Sequence, residues 1–155
     1  AERAIDANHD SGTCSMTSNG YVLDPRLAAD AVRLCDWPLS AVLLMNDRRY
    51  PWIVLVPRQT GLVEPFDLAA ADQARLWCEV GHAGAVLKTA TGCRKVNIGA
   101  LGNIVSQLHV NVVARNEGDA AWPGPVWGTG TPERFDPAAL ASEVERFRKV
   151  LQPPA

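Results

Sequence analysis

The sequence predicts an α+β domain in which helices pack on an antiparallel sheet. The predicted elements run in the order helix, strand, strand, helix, strand, strand, helix, and the strands are joined in pairs by short turns. With 155 residues and a hydrophobic content of 47%, the chain is long enough for one substantial core. We therefore expect a single domain over residues 21–151, a flexible polar arm over residues 1–20 and a tail over residues 152–155.

The first half of the domain is predicted to hold a short helix and a β-hairpin. Asp24 is a candidate N-cap, and Pro25 can begin a turn or a short helix. Two short apolar runs come next, over residues 40–47 and Trp52–Val56, and each is bounded by residues typical of strand ends. The Asn-Asp pair that ends the first run favours a hairpin turn.

The second half begins with a long predicted helix from Asp67 to about Thr89, in which apolar residues recur at helical spacing and Asp67 is the candidate N-cap. Two further strands are predicted over residues 93–101 and 105–115, with a Gly-Asn pair between them. A loop rich in Pro, Gly and Trp then leads to an amphipathic helix over residues 136–151, whose first residue is a capping aspartate followed by proline.

Composition argues against several classes of function. The formal net charge of −2 gives no basic field for nucleic acid, and no apolar run approaches the roughly 18 residues of a membrane span. The N-terminal segment lacks the basic and apolar stretches of a secretory signal. The four cysteines have wide spacings without a Cys-x-x-Cys pair, which is typical of reduced thiols in a cytoplasmic protein. Neither nucleic acid nor a membrane is expected as a partner.

Cys78 and His82 have the spacing of a pair of metal ligands. Because they are four residues apart on the long helix, they could share one face and supply half of a zinc site. No second pair of ligands accompanies them at a matching spacing. We therefore predict no metal site and no cofactor, and we interpret His82, like His9, as a surface residue.

The stretch "VSQLHVNVVAR", residues 105–115, alternates like a buried strand but carries polar groups on one side. Gln107, His109 and Asn111 are two residues apart, so in an extended chain their side chains share one face while the aliphatic residues between them share the other. A single histidine among aliphatic residues is commonly a hydrogen-bonded core residue. Its neighbours favour a functional role as an alternative.

The segment before this strand is rich in small residues and amides. Glycines there would let the backbone approach a ligand closely, and side-chain amides can donate to phosphate or sugar oxygens. These residues are Asn97, Gly99, Gly102, Asn103 and Ser106.

The sequence "KVNIGALGNIVSQLHVNVVAR" followed by "DAAWPGPVWG" resembles the histidine triad (HIT) superfamily of nucleotide hydrolases and transferases, and within it the bacterial branch with a Trp-Pro-rich loop. The resemblance extends from Tyr21 to Leu151 and includes the hairpin "AVLLMNDRRYPWIVLVPR". It implies a HIT-like, dimer-forming fold. It also implies a nucleotide substrate of the diadenosine polyphosphate or nucleotide conjugate class.

The family motif is His-φ-His-φ-His-φ-φ, where φ is apolar, and it falls on Gln107, His109 and Asn111. The resemblance implies that His109 is the nucleophile, which attacks the α-phosphorus of a purine nucleotide or dinucleotide and forms a nucleotidyl-histidine. Neutral imidazole suits this step because its pKa near 6.5 leaves it unprotonated at neutral pH. Gln107 at the first position is similar to other members of the bacterial branch, and the resemblance implies that Gln107 and Asn111 position or stabilise the phosphate.

Asn111 departs from the family pattern, because an amide can donate a hydrogen bond to phosphate but cannot deliver a proton to a leaving group. Three explanations remain open. The site could be transferase-like, since distant transferase relatives carry Gln at this position. The chain could be a nucleotide-binding regulatory protein that has lost turnover. It could also carry an engineered His→Asn change made to trap a ligand of an active hydrolase.

The resemblance also suggests contacts with the phosphate and sugar. Asn97 and Ser106 match the family's phosphate-contacting residues, and turn-stabilising roles are the alternative. Asn46 lies where the family binds ribose hydroxyls, although the acidic residue expected nearby is replaced by Leu44. Asn103 belongs to the same candidate substrate-binding set.

Two tryptophans lie in the Pro-rich loop that reaches towards the active site in relatives. Trp122 and Trp127 could stack on a nucleobase, or they could dock the loop on the body of the domain. Arg115, at the end of the last strand, could meet phosphate or stand on the surface in solvent.

Overall fold

The computed structural model describes residues 20–155. The predicted arm over residues 1–20, with His9 and Cys14, therefore lies outside the described residues except for Gly20. The helices and strands are α1 (Pro25–Asp30), β1 (Ala31–Asp36), β2 (Ser40–Met45), β3 (Trp52–Pro57), α2 (Ala70–Thr91), β4 (Lys95–Gly99), β5 (Val110–Arg115) and α3 (Pro137–Val150).

The five strands form one sheet in the order β1-β2-β3-β5-β4, and every neighbouring pair is antiparallel. The predicted α+β class with helices on an antiparallel sheet is confirmed. Strand β1 is absent from the predicted elements, because it continues from α1 without a turn and is only six residues long. Its exposed positions, such as Arg33 and Asp36, belong to an edge strand and carry the charged groups typical of an edge.

The sheet is covered on both faces, so β2 and β3 read as continuous apolar runs rather than as alternating ones. One face packs against α2 and α3 through the larger core, with Leu76, Leu87 and Phe147 among its buried members. The other face packs against α1 and the long loop after β5, with Leu27 and Val126 in its core. The candidate site lies on this second face.

The capping predictions hold for two helices and fail for the third. The Asp24 carboxylate accepts from the Arg26 amide at 2.8 Å, and that of Asp136 accepts from the Ala139 amide at 2.9 Å. The predicted cap of α2 by Asp67 is wrong, because α2 begins at Ala70.

Asp67 instead closes a separate 3₁₀ turn over Pro65–Asp67. Its Oδ2 accepts from the backbone amides of Val63 and Glu64 at 3.0 and 2.8 Å. The helix predicted from the spacing after it is confirmed, because α2 extends to Thr91 and ends at Gly92 with φ of +65°.

Strand β5 is shorter than predicted and begins at Val110 rather than at Val105. Its pairing with both neighbours begins there, at Val110 for β3 and at Asn111 for β4. The preceding residues leave the sheet, and the Leu108 amide donates to the Leu62 carbonyl at 3.0 Å instead. His109 therefore lies just outside the first rung of the strand.

Cys78 and His82 both lie on α2. His82 Nε2 lies 2.9 Å from the Gln152 carbonyl oxygen, and Cys78 is an exposed free thiol. Residues 20–155 contain no group of three or more His, Cys, Asp or Glu placed to hold a metal ion. Within the same range, no helix has both the length and the apolar character needed to cross a bilayer.

A buried carboxylate ties α2 to the turn between β1 and β2. Glu79 is 0% exposed, and its Oε1 accepts from the Leu39 amide at 2.8 Å. Its other oxygen has no hydrogen-bond partner within residues 20–155. This contact satisfies a backbone donor that the apolar surroundings would otherwise leave unpaired.

We expect Glu79→Ala to lower the free energy of unfolding by at least about 1–3 kcal/mol, because the Leu39 amide loses its acceptor. Glu79→Gln keeps an acceptor oxygen and should retain most of the stability. Urea denaturation measures both, with the exposed Glu145→Ala on α3 as a control expected within about 0.5 kcal/mol of the parent. Equal stabilities for the two alanine variants would contradict this role of Glu79.

Candidate functional site

A cavity of about 540 Å³ opens on the face of the sheet opposite α2 and α3. Its floor is made by residues at the ends of three adjacent strands, and its walls by two loops, residues 101–105 and 126–134. Of the predicted site residues, the cavity brings together His109, Asn111, Asn46, Asn103 and Trp127.

His109 is held by one hydrogen bond from its ring to the backbone. Its Nδ1 lies 2.7 Å from the carbonyl oxygen of Gln107. Since a carbonyl oxygen can only accept, Nδ1 is the donor, and in the neutral ring Nε2 keeps its lone pair. The imidazole is half-buried at the edge of the cavity. The backbone itself thus selects the tautomer that nucleophilic chemistry requires.

Asn111 is held in one orientation by two partners of opposite kind. Its Oδ1 accepts from the indole Nε1 of Trp52 at 3.0 Å, and its Nδ2 donates to the Gly99 carbonyl at 3.1 Å. An indole can only donate and a carbonyl can only accept, so the amide cannot be reversed without losing both bonds. The second N–H of Nδ2 remains for a ligand, although the residue is only 3% exposed.

Gln107 lies outside the cavity. Its Oε1 accepts from the Asp24 amide at 2.8 Å, and its Nε2 donates to the Val22 carbonyl at 2.9 Å. The predicted shared face of three polar side chains therefore applies to His109 and Asn111 only. The reason is that the Gln107 side chain is held by the backbone of Val22 and Asp24 in the segment before α1.

Arg115 is neither a phosphate contact nor a solvated surface residue, because it is 1% exposed. Its guanidinium makes a bidentate pair with Asp119 at 2.7 and 2.9 Å. It also donates to Asn97 Oδ1 at 2.7 Å and to the Gly124 carbonyl at 2.9 Å. Asn97 is thereby directed towards Arg115 and does not line the cavity.

The two loop tryptophans have different places. The Trp122 ring lies over the Arg115 guanidinium at 5.8 Å and is not part of the cavity lining. Trp127 lines the cavity and packs against Gly99, where an added Cβ would stand 2.9 Å from the indole ring. Any side chain at residue 99 would displace this wall. Ser106, like Trp122, lies outside the lining, whereas Asn103 is part of it.

An ion pair that is not among the predicted site residues fixes the other wall. Asp47 is 2% exposed and pairs with Arg49 at 2.6 Å, and Arg49 also donates to the Thr129 carbonyl at 2.9 Å. Burial would raise the pKa of Asp47, but hydrogen bonds from the Arg49 side chain and from the Arg49 and Glu133 amides lower it below its ordinary value. The sequence feature that could have indicated this ion pair is the run "NDRRYPW" in the hairpin turn, which contains both residues.

Leu44, within β2, and Asn46, just after its end, face different sides of the sheet. Asn46 lines the cavity, and its Oδ1 accepts from the Phe135 amide at 3.0 Å. Leu44 is 2% exposed and belongs to the core beneath α2 and α3. Residue 44 therefore faces away from the cavity.

A model of the HIT domain family matches residues 26–118, which include every strand of the sheet. The chain belongs to the HIT family. Members of this family are generally nucleotide hydrolases or transferases, and the match contains His109 and Asn111. A comparison with curated protein sequences gave no match.

Three bacterial histidine triad proteins of known structure are similar to this HIT protein over nearly their whole length. The Sinorhizobium meliloti 1021 protein is 46% identical, with a TM-score of 0.82 over 86% of this chain and 98% of that one. The Bradyrhizobium japonicum protein is 43% identical, with a TM-score of 0.81 over 85% and 98%. The Marinobacter aquaeolei VT8 protein is 40% identical, with a TM-score of 0.82 over 84% and 96%.

The buried Arg115–Asp119 pair predicts how the stability of this HIT protein depends on pH. The hydrogen bond from Arg115 is the main cause that holds the pKa of Asp119 below its ordinary value. The stabilisation is therefore fully present above the unfolded pKa of about 3.9 and is lost as the pH falls through the folded pKa.

We expect Asp119→Asn to be less stable than the parent at pH 7 and to lose less stability between pH 5 and pH 2. Urea denaturation across this range measures the difference. Asp36→Asn, at the exposed edge of β1, is the matched control because it removes the same charge. Parallel pH profiles for the parent and Asp119→Asn would rule out this contribution.

Proposed function

We propose that the protein is a nucleotide hydrolase or nucleotidyltransferase that acts on the α-phosphate of a purine nucleotide, dinucleotide or nucleotide conjugate through a nucleotidyl-His109 intermediate. The observation that carries the proposal is the 2.7 Å contact between His109 Nδ1 and the Gln107 carbonyl, because in the neutral ring it leaves Nε2 with the lone pair, on a residue that lines the cavity. Diadenosine polyphosphates and nucleotide conjugates are the substrate class that fits this chemistry.

The reaction consists of two displacements at phosphorus. In the first, the lone pair of Nε2 forms a bond to the α-phosphorus, and the bond from phosphorus to the leaving group breaks with its electrons on the leaving group. In the second, an oxygen of water or another acceptor attacks the phosphorus, gives up its proton to solvent and displaces Nε2. Because the attacking nitrogen is supplied by the protein, neither step requires a metal ion or a cofactor.

Asn111 has the role of a hydrogen-bond donor to a phosphate oxygen. The bonds to Trp52 and Gly99 hold its amide still, so the remaining N–H needs no reorganisation as charge develops on the phosphate. The amide cannot protonate a leaving group, and loss of a general acid typically costs about 10²–10⁴-fold in rate. The site therefore favours leaving groups that depart without a proton, such as polyphosphates.

The remaining predicted residues divide into those that contact substrate and those that hold the cavity. We propose Asn46 and Asn103 as polar contacts and Trp127 as the aromatic surface for the base, since all three line the cavity. The other predicted residues hold the surrounding structure in place. Gln107 joins the segment before His109 to residues 22–24. Asn97 and Trp122 contact Arg115, and Ser106 lies in the segment before His109.

A nucleotide-binding regulatory protein without turnover is the second candidate, and Asn111 is the observation that favours it. A site that lacks its proton donor but keeps a formed cavity and a fixed amide would still bind a nucleotide. Binding with no chemistry would establish this alternative.

We also propose a cytoplasmic homodimer. Strand β4 is an edge of the sheet with unpaired backbone groups on its outer side, and Ile98 on it is 47% exposed. The three free thiols among the described residues suit a reducing compartment. Sedimentation equilibrium tests the association, and a monomer mass at micromolar concentration would exclude the dimer.

We expect intact-protein mass spectrometry, after mixing with a diadenosine polyphosphate, to show an adenylyl adduct on His109 or the hydrolysed products. His109→Ala should abolish the adduct and reduce turnover by at least about 10³-fold, because the nucleophile is gone. His82→Ala, on α2 beside Gln152, is the control and should retain turnover. Bound nucleotide with neither adduct nor products would favour the regulatory protein instead.

Asn111→His should accelerate turnover of a nucleotide with an amine leaving group by about 10²–10⁴-fold and that of a polyphosphate far less, because only the amine requires a proton. Steady-state rates on both substrates measure the difference. Asn111→Gln keeps an amide and should give no such gain. Equal acceleration of the two substrates by the histidine variant would refute the role of proton donation.

A further inference from the structure

Tyr50 is buried against two residues of the cavity lining, Arg49 and Trp52, and does not line the cavity itself. The Arg49 guanidinium lies over its ring at 5.1 Å, and that of Arg115 lies over the same ring at 5.8 Å. The Trp52 indole meets the ring in an edge-to-face arrangement, with 6.5 Å between the centroids. One aromatic ring therefore contacts side chains from the hairpin turn, from β3 and from β5.

We propose that Tyr50 is a positioning residue of the candidate site, whose ring fixes both the Trp127 wall and the Asn111 amide. This inference rests on the proposed function, because the two groups are those assigned to the base and to the phosphate of the nucleotide. It adds to that function a residue that touches no substrate and acts through its neighbours.

Arg49 and Arg115 connect the tyrosine ring to the loop that carries Trp127. They donate to loop carbonyls on either side of this tryptophan, those of Thr129 and Gly124, each at 2.9 Å. Their side chains are only 10% and 1% exposed. A guanidinium that is withdrawn from water interacts more strongly with an aromatic face than an exposed one does. The ring therefore helps to fix the positions from which both arginines hold the wall.

Trp52 connects the same ring to the phosphate-binding amide. Its Nε1 donates to Asn111 Oδ1 at 3.0 Å, and its indole packs against Tyr50. Because aromatic pairs prefer the edge-to-face arrangement, the tyrosine limits the tilt of the indole. The tilt sets the direction of the indole N–H and therefore the orientation in which Asn111 presents its free N–H to a phosphate.

The hydroxyl of Tyr50 takes no part in these contacts. It is buried and has no hydrogen-bond partner within residues 20–155. A buried hydroxyl that is left unpaired costs free energy, so it does not hold the ring in place. The proposed role belongs to the faces and edges of the ring, which a phenylalanine would also supply.

Titration calorimetry with adenosine and AMP separates the two effects without requiring turnover. The Kd of adenosine reports on the wall that contains Trp127, and the ratio of the adenosine Kd to the AMP Kd reports on the phosphate contact of Asn111. We expect Tyr50→Leu to weaken adenosine by about tenfold, in the range of one stacked base. It should also lower the ratio by up to about tenfold, the range of a hydrogen bond to a charged group. Tyr50→Phe should rescue both quantities.

Tyr21→Leu is the matched control, because Tyr21 is the other tyrosine of the chain and packs against the same core without lining the cavity. It should change neither quantity. A partly unfolded sample lowers the binding stoichiometry and leaves the Kd unchanged, so loss of stability is distinguished from loss of positioning. Tyr50→Met fills more of the space and is the second variant should Tyr50→Leu not fold.

Unchanged Kd values for Tyr50→Leu, a change in only one of the two quantities, or an equal loss in Tyr50→Phe would overturn the role of the ring while the proposed function stands. If the parent protein binds neither adenosine nor AMP, the proposed function fails and the positioning role fails with it.

Discussion

Strand β5 contributes side chains to both faces of the sheet, and the candidate site depends on this constraint. Its aliphatic residues Val110 and Val112 fill the core against α2 and α3, so the alternate residues face the side of the sheet on which the cavity lies. A shift of one residue would turn Asn111 into that core and the core residues towards the cavity. Antiparallel pairing with β3 and β4 on either side fixes the register of β5 and therefore the position of Asn111 at the cavity.

Long-range polar contacts then bring the cavity walls to this strand. Arg115 at the end of β5 holds the loop that carries Trp127, and Arg49 holds the same loop further along. Each guanidinium is paired with a carboxylate and also donates to a loop carbonyl. Two ion pairs are thus used to shape the cavity walls.

Features set by local periodicity could be predicted from the sequence, whereas those that depend on distant partners could not. The alternation through Val112, two of three helix caps and the placement of His109 beside Asn111 all result from spacing. The outward position of Gln107 depends on its bonds to Asp24 and Val22, and the burial of Arg115 depends on Asn97 in β4 and on the Gly124 carbonyl. Neither relation can be read from a window of residues around the site.

The hydrogen bonds of Asn111 bear on how such a site changes over evolutionary time. Trp52 and the Gly99 carbonyl form a socket that offers one donor and one acceptor, and a neutral imidazole offers the same complement. Because the socket would engage both ring nitrogens, a histidine here can protonate a leaving group only by releasing the Gly99 carbonyl. At this position a gain in proton donation is coupled to the loss of a buried hydrogen bond of the scaffold.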